Sequence, residues 1–117
     1  AVLQDAMGAA EALAMSTGAV VLCKNASTII AGPKYTAVVT QGCAGMAKGG
    51  SGDVLAGCMG GLLAQGYSAF DSACMAAYIC GKAGEMAQQK LGPVSMLPTD
   101  TIENIAEVTK QLCRTAK

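Results

Sequence analysis

Residues 19–25 read Ala-Val-Val-Leu-Cys-Lys-Asn, a continuous apolar run rich in β-branched residues that stops at a lysine and an asparagine. The absence of polar alternation is what a strand covered on both faces requires, and such strands belong to sheets flanked by helices. Working outward, Ala1–Thr17 puts Leu3, Ala6, Ala10, Leu13 and Ala14 on one helical face, and Gly18 supplies the stop. On the other side, Thr28–Ala31 meets a Gly32-Pro33 turn signal and Tyr35–Val39 reads as a third strand. The pattern predicts a strand leaving the sheet core, followed by a small hairpin.

The rest of the chain is helical. Val54 to Gly66 keeps helical character although Gly57, Gly60 and Gly61 each cost about 1 kcal/mol against alanine, which predicts close approach to other backbone. Ser68 and Asp71 form a capping-box-like opening to a helix over Ala69–Lys90, which Leu91-Gly92-Pro93 closes. Asp100 with Glu103 repeats the capping logic for a last helix, with Ile102, Ile105, Ala106, Thr109, Leu112 and Cys113 on one face. Helix, strand, hairpin, glycine loop and three helices make an α/β layer fold. Three or four short strands are few for a sheet, so the pattern also implies pairing with another chain or membership of a larger domain.

Composition narrows the function. The 117 residues carry eight basic and eight acidic side chains, no histidine and no tryptophan. Charge balance of this kind excludes a polyanion-binding arm and a basic membrane patch, and 3% aromatic content excludes base-stacking platforms. Imidazole chemistry is excluded within this chain. Cys23, Cys43, Cys58, Cys74, Cys80 and Cys113 contain no CxxC pair and sit mostly in apolar runs, so they read as packing residues of a reduced, cytoplasmic protein. The longest apolar stretch, Val54–Leu63, is about half a membrane span, and no membrane or nucleic-acid partner is expected.

The chemistry concentrates in Gly45-Met46-Ala47-Lys48-Gly49-Gly50-Ser51-Gly52-Asp53. A glycine-dense turn entering a helix leaves backbone N–H groups without intrahelical partners, and bare glycines let an anion approach them. Lys48 reads as a movable cation beside them. The stretch is neither a Walker A loop nor GxGxxG, because Leu55 stands at the third glycine position. A carboxylate next to a phosphate site is repulsive unless it has a use, and Asp53 has one as general base toward a hydroxyl attacking phosphorus. Spacing alone leaves a plainer role open, a first-turn acid complementing the helix dipole.

Gly45–Gly57, GMAKGGSGDVLAG, resembles the signature of the ADP/ATP-dependent NAD(P)H-hydrate dehydratases of the ribokinase-like superfamily. The likeness extends through Val21-Leu22-Cys23-Lys24, Leu62–Gly66, Phe70–Ala73 and Thr99-Asp100, and so covers nearly the whole chain. It implies a ribokinase-like three-layer α/β/α domain, of which residues 1–117 would be a partial, C-terminal portion. It further implies nucleotide-dependent return of hydrated NADH or NADPH to NAD(P)H, by phosphorylating the added hydroxyl and eliminating phosphate, a lyase activity in metabolite repair. Asp53 would be the base and contact the hydrated nicotinamide. Lys24, Asn25, Ala26, Ser27, Thr28, Gly49, Gly50, Ser51 and Gly52 would bind the nucleotide, ADP or ATP with Mg2+.

Departures from the family pattern are local. Gly42-Cys43-Ala44 replaces Gly-Asn-Pro, Lys24-Asn25 replaces Lys-Gly, and Tyr78-Ile79-Cys80-Gly81 replaces Tyr-Leu-His-Gly. Two alternatives compete with the dehydratase: a ribokinase-like vitamin or sugar kinase, and a non-catalytic fragment needing a partner chain. A homo-oligomer is expected from the apolar composition.

Overall fold

The computed structural model describes residues 2–24 and 27–115. Helix α1 (Val2–Thr17) is followed by strands β1 (Val21–Lys24), β2 (Thr28–Ala31) and β3 (Thr36–Val39). A short 3-10 turn (Ala44–Met46) then leads to α2 (Ser51–Ala64), α3 (Ala69–Leu91) and α4 (Pro98–Thr115). The strands form one antiparallel sheet in the order β1-β2-β3, with Val21 opposite Ala31 and Lys24 opposite Thr28, and Thr28 in turn opposite Val39.

The two faces of β2 explain the layers. Ile29 and Ala31 point to one side, where Ala10 and Ala14 of α1 bury against them together with Val21 and Cys23. Ile30 points to the other side and joins Val39, Leu55, Ala73, Ala76 and Cys80. Helices therefore cover both sheet faces, as the unalternating run at 19–23 implied, in an α/β/α arrangement. Val21, Leu22 and Cys23 are nonetheless only half-buried, because β1 is an edge strand. Small residues set the spacing of α1: Ala10 and Ala14 allow close approach, and Ala6 and Met7 flank them. Leu13, assigned to the same stripe by pattern, is 52% exposed, since a face centred on residues 10 and 14 leaves residue 13 at its edge. Ala1 and the side chain of Leu3 lie outside the described residues.

Helix α3 is the structural centre, packed against the sheet, α2 and α4. Ser68 caps it, its hydroxyl accepting the Asp71 N–H at 3.1 Å, and Lys90 sits in its last turn. Helix α4 begins at Pro98, three residues before Thr101, where a cap at Asp100 would have started it. Pro98 occupies the first turn, where a missing N–H is harmless, and Asp100 Oδ2 accepts the Leu97 N–H at 2.7 Å.

The buried face of α4 also differs from expectation. Thr101, Asn104 and Val108 are buried, whereas Ile102 is 50% exposed and Ala106, Leu112 and Cys113 face outward. Asn104 hid the true face because it is polar yet fully bonded: its Nδ2 donates to Asp100 O and its Oδ1 accepts from Lys90 Nζ, both at 2.8 Å. The glycines of α2 are a second correction. A Cβ at Gly57, Gly60 or Gly61 would have nothing within 4 Å, so no neighbouring backbone requires them among the described residues.

Candidate active site

The loop between β3 and α2 creates the site. Gly50 caps α2 with φ 101°, a conformation that L side chains rarely adopt, and offers no side chain to occupy the helix start. The Ser51 N–H donates to Lys48 O and the Val54 N–H to Gly50 O, both at 3.2 Å. Between them, the amides of Gly52 and Asp53 find no protein acceptor among the described residues. Two orphan donors at the positive end of a 14-residue helix are a favourable place for negative charge.

Beside this helix start lies a cavity of about 440 Å³. Its wall takes Ser51, Val54 and Leu55 from α2, Lys24 and Thr28 from the first hairpin, and Gln41 from the loop. Lys24 and Thr28 arrive together because they are cross-strand partners. Helices α3 and α4 complete the wall with Ala77, Cys80, Gly81, Pro98 and Thr101. Ordinary small-molecule pockets run to roughly 300–1,000 Å³ and are mostly apolar with a few polar groups, which describes this one.

The sequence-assigned residues divide accordingly. Lys24, Thr28 and Ser51 line the cavity, whereas Ser27, Gly49, Gly50 and Gly52 are not on its wall; Asn25 and Ala26 lie outside the described residues. Asp53 is exposed and follows Gly52 around the first turn of α2, while residues 51, 54 and 55 face the cavity. Helical periodicity thus sets the carboxylate on one side of the turn and the cavity on another, with the free amides at the tip. Lys48 departs from expectation. It is not a loose cation: its Nζ donates to Val94 O at 2.8 Å and also to Met96 O, tying the glycine loop to the segment before α4. Sequence reasoning did not find Gln41 or Thr101 on the wall, since neither belongs to a motif; only a three-dimensional neighbour relation selects them.

The thiol pair Cys58–Cys80 links α2 to α3, and Cys80 lies on the cavity wall. A hydrogen bond between the two side chains pulls the Cys58 thiol down to about 7, against the opposing effect of burial. The same bond, reinforced by burial, pushes Cys80 upward. Cys74 is raised by burial and by the nearby Asp71 carboxylate. Cys43, Cys58, Cys74, Cys80 and Cys113 are thiols in the structure. Among the described residues no group of three or more His, Cys, Asp or Glu side chains gathers to hold a metal, and no helix is long and apolar enough to cross a membrane.

Taken together, the layered α/β/α fold and the uncapped, glycine-fronted helix start beside a cavity define an open α/β domain of the kind that takes ligands at strand ends and helix N-termini. The chain belongs to the NAD(P)H-hydrate dehydratase family, whose model matches residues 1–107. It is 35% identical over 105 residues to a bifunctional NAD(P)H-hydrate repair enzyme of Escherichia coli, covering 89% of this chain and 20% of that protein. It is 38% identical over 104 residues to an ADP-dependent (S)-NAD(P)H-hydrate dehydratase of Cenarchaeum symbiosum, covering 89% of this chain and 36% of that one. In three dimensions it resembles the ADP/ATP-dependent NAD(P)H-hydrate dehydratase of Bacillus subtilis co-crystallised with ATP/Mg2+. The TM-score is 0.87 at 23% identity, over 94% of this chain and 40% of that one. The chain thus spans well under half the length of each of these relatives.

Proposed function

We propose that this chain carries the phosphate-handling part of an enzyme that uses ADP or ATP to return (S)-NAD(P)H hydrate to NAD(P)H. The observation that carries the proposal is the first turn of α2: two orphan amides at its tip, a cavity wall on one side and the Asp53 carboxylate on the other. The nucleotide occupies the cavity with its terminal phosphate at the helix tip, Lys24 and Ser51 alongside. Asp53 accepts the proton of the substrate hydroxyl as its oxygen attacks phosphorus, and the phosphate–nucleotide bond breaks. The new C–O–phosphate ester then loses phosphate: the C–O electrons leave with the phosphate, and a proton leaves the adjacent ring carbon to water, its C–H electrons restoring the ring double bond. The amides meet the charge that grows on the transferring group, and removing one such donor in comparable sites costs on the order of 10²–10³ in rate.

The donor set suits a cation brought in by the nucleotide rather than a protein cage, because no three carboxylate, thiol or imidazole groups converge among the described residues. Mg2+ bound to the phosphates supplies charge neutralisation and holds them in line for transfer. Lys24 and Ser51 orient the same phosphates from the protein side, and the apolar walls exclude water. Names given to relatives, ADP-dependent dehydratase in one case and ADP/ATP-dependent in another, support this choice of phosphoryl donor. We place the activity in the cytoplasm, where the pyridine nucleotides it repairs circulate.

The full-length protein incubated with hydrated NADH, ADP and Mg2+ should regain the NADH absorbance band and release one phosphate per NADH. A stable phosphorylated product with no return of the band would instead assign the chain to simple phosphoryl transfer, as a small-molecule kinase.

A further inference from the structure

The segment that leads into α2 is held by one stripe of α3. Residues 81, 84, 85 and 88 recur at i, i+3, i+4 and i+7 and therefore share a helical face. Gly81 makes room for the chain itself: a Cβ there would lie 2.5 Å from the carbonyl oxygen of Gln41. One turn on, a Cβ at Gly84 would overlap the Met46 sulfur. Past these two seats stand two acceptors. The Gly42 N–H donates to Glu85 Oε2 at 2.8 Å, and the Gly45 N–H donates to Gln88 Oε1 at 2.9 Å.

These bonds are not the usual local closure of a loop. Partly buried backbone amides must be satisfied, and here side chains some 43 positions away in the chain satisfy them. Glu85 has a second contact, its Oε1 lying 3.8 Å from Lys82 Nζ, which leaves Oε2 for the loop. Neither Glu85 nor Gln88 is on the cavity wall, whereas Gln41, Gly42 and Met46 are. The two side chains therefore reach the cavity only through backbone they hold.

We propose that Glu85 and Gln88 are positioning residues, whose side-chain oxygens fix the 41–46 segment on α3 and so set where the first-turn amides of α2 meet the nucleotide phosphate. The inference rests on the phosphate reading above and adds to it the device that aims the loop. A tilt of the loop leaves in place the walls that Lys24, Thr28, α3 and α4 present to the base and ribose, and misplaces the contacts to phosphate.

Binding of ADP and of adenosine to the full-length protein, measured by calorimetry, separates these effects. The unaltered protein should bind ADP more tightly than adenosine. Gln88→Leu, which keeps size and removes the acceptor, should weaken ADP about tenfold while adenosine stays within about twofold. Gln88→Glu keeps Oε1 and should restore ADP affinity, and Glu85→Gln, which keeps an acceptor for Gly42, should leave it near normal. Equal weakening of both ligands, or no change in ADP, overturns the positioning role. An unaltered protein that does not prefer ADP overturns the phosphate reading and this inference with it. If Gln88→Leu does not fold, amide exchange in the unaltered, ligand-free protein decides. Slow exchange at Gly42 and Gly45 supports the anchoring, and exchange as fast as in an unstructured peptide overturns it.

Discussion

Gly81→Ala and Gly57→Ala are the same substitution in two helix interiors, and the structure predicts opposite signs. Replacing glycine by alanine in a helix gains about 1 kcal/mol from backbone entropy when nothing else changes. At Gly57 nothing lies within 4 Å of the new Cβ, so the gain should appear in full. At Gly81 the new Cβ would sit 2.5 Å from Gln41 O, 2.7 Å from its carbonyl carbon and 2.8 Å from its Cβ. Two of these atoms are backbone and cannot rotate away, so α3 and the loop must separate by the better part of an ångström. Overpacking of this severity sits at the upper end of about 1–3 kcal/mol. Against the propensity gain, Gly81→Ala should lose about 2 kcal/mol, making the two variants differ by about 3 kcal/mol. Urea unfolding of the 117-residue chain, followed by far-ultraviolet circular dichroism, reads this as a lower midpoint for Gly81→Ala and a higher one for Gly57→Ala at unchanged slope. Gly81→Ala with a midpoint at or above the unaltered chain would refute the close approach of loop and helix.

Lys48→Met removes the donor that two carbonyls share, and should cost about 1.5 kcal/mol in the same unfolding assay, the value of a charge-assisted hydrogen bond. Cys58 is held near 7 by its bond to Cys80, so the thiolate is favoured and its alkylation should accelerate as pH rises through about 7. Cys80→Ala removes that donor and should move the rise upward toward the ordinary thiol range, as followed by mass spectrometry of the Cys58 peptide. A rise left in place by Cys80→Ala would refute the pairing.

Layering was legible in the sequence because burial wrote it in hydrophobic order. The run at 19–23 announced helices on both sheet faces, and Ser68 announced the start of α3 through a local cap. The unpaired helix start was legible at Ser51–Asp53, where glycine density leaves the amides of Gly52 and Asp53 without protein acceptors among the described residues. What failed was non-local. The outward side of α4 looked like a core face because two of the residues that do bury beside Val108, Thr101 and Asn104, are polar, and Asn104 is satisfied by Lys90 of α3 together with Asp100 one turn earlier in α4. Lys48 looked like a free cation because carbonyls 46 and 48 positions later in the chain carry no sequence signal. The glycines of α2 looked like a packing seam, whereas the helical glycines that seat a neighbour among the described residues are Gly81 and Gly84 of α3.

Asp53 stands on the exposed side of the first turn of α2, and in the proposed reaction it takes the proton of the attacking hydroxyl. Turnover of hydrated NADH by full-length Asp53→Asn, with ADP and Mg2+ saturating, tests this most directly. The account predicts a rate lower by roughly 10²–10⁴-fold, with folding and ADP affinity retained. Turnover equal to that of the unaltered enzyme would contradict it.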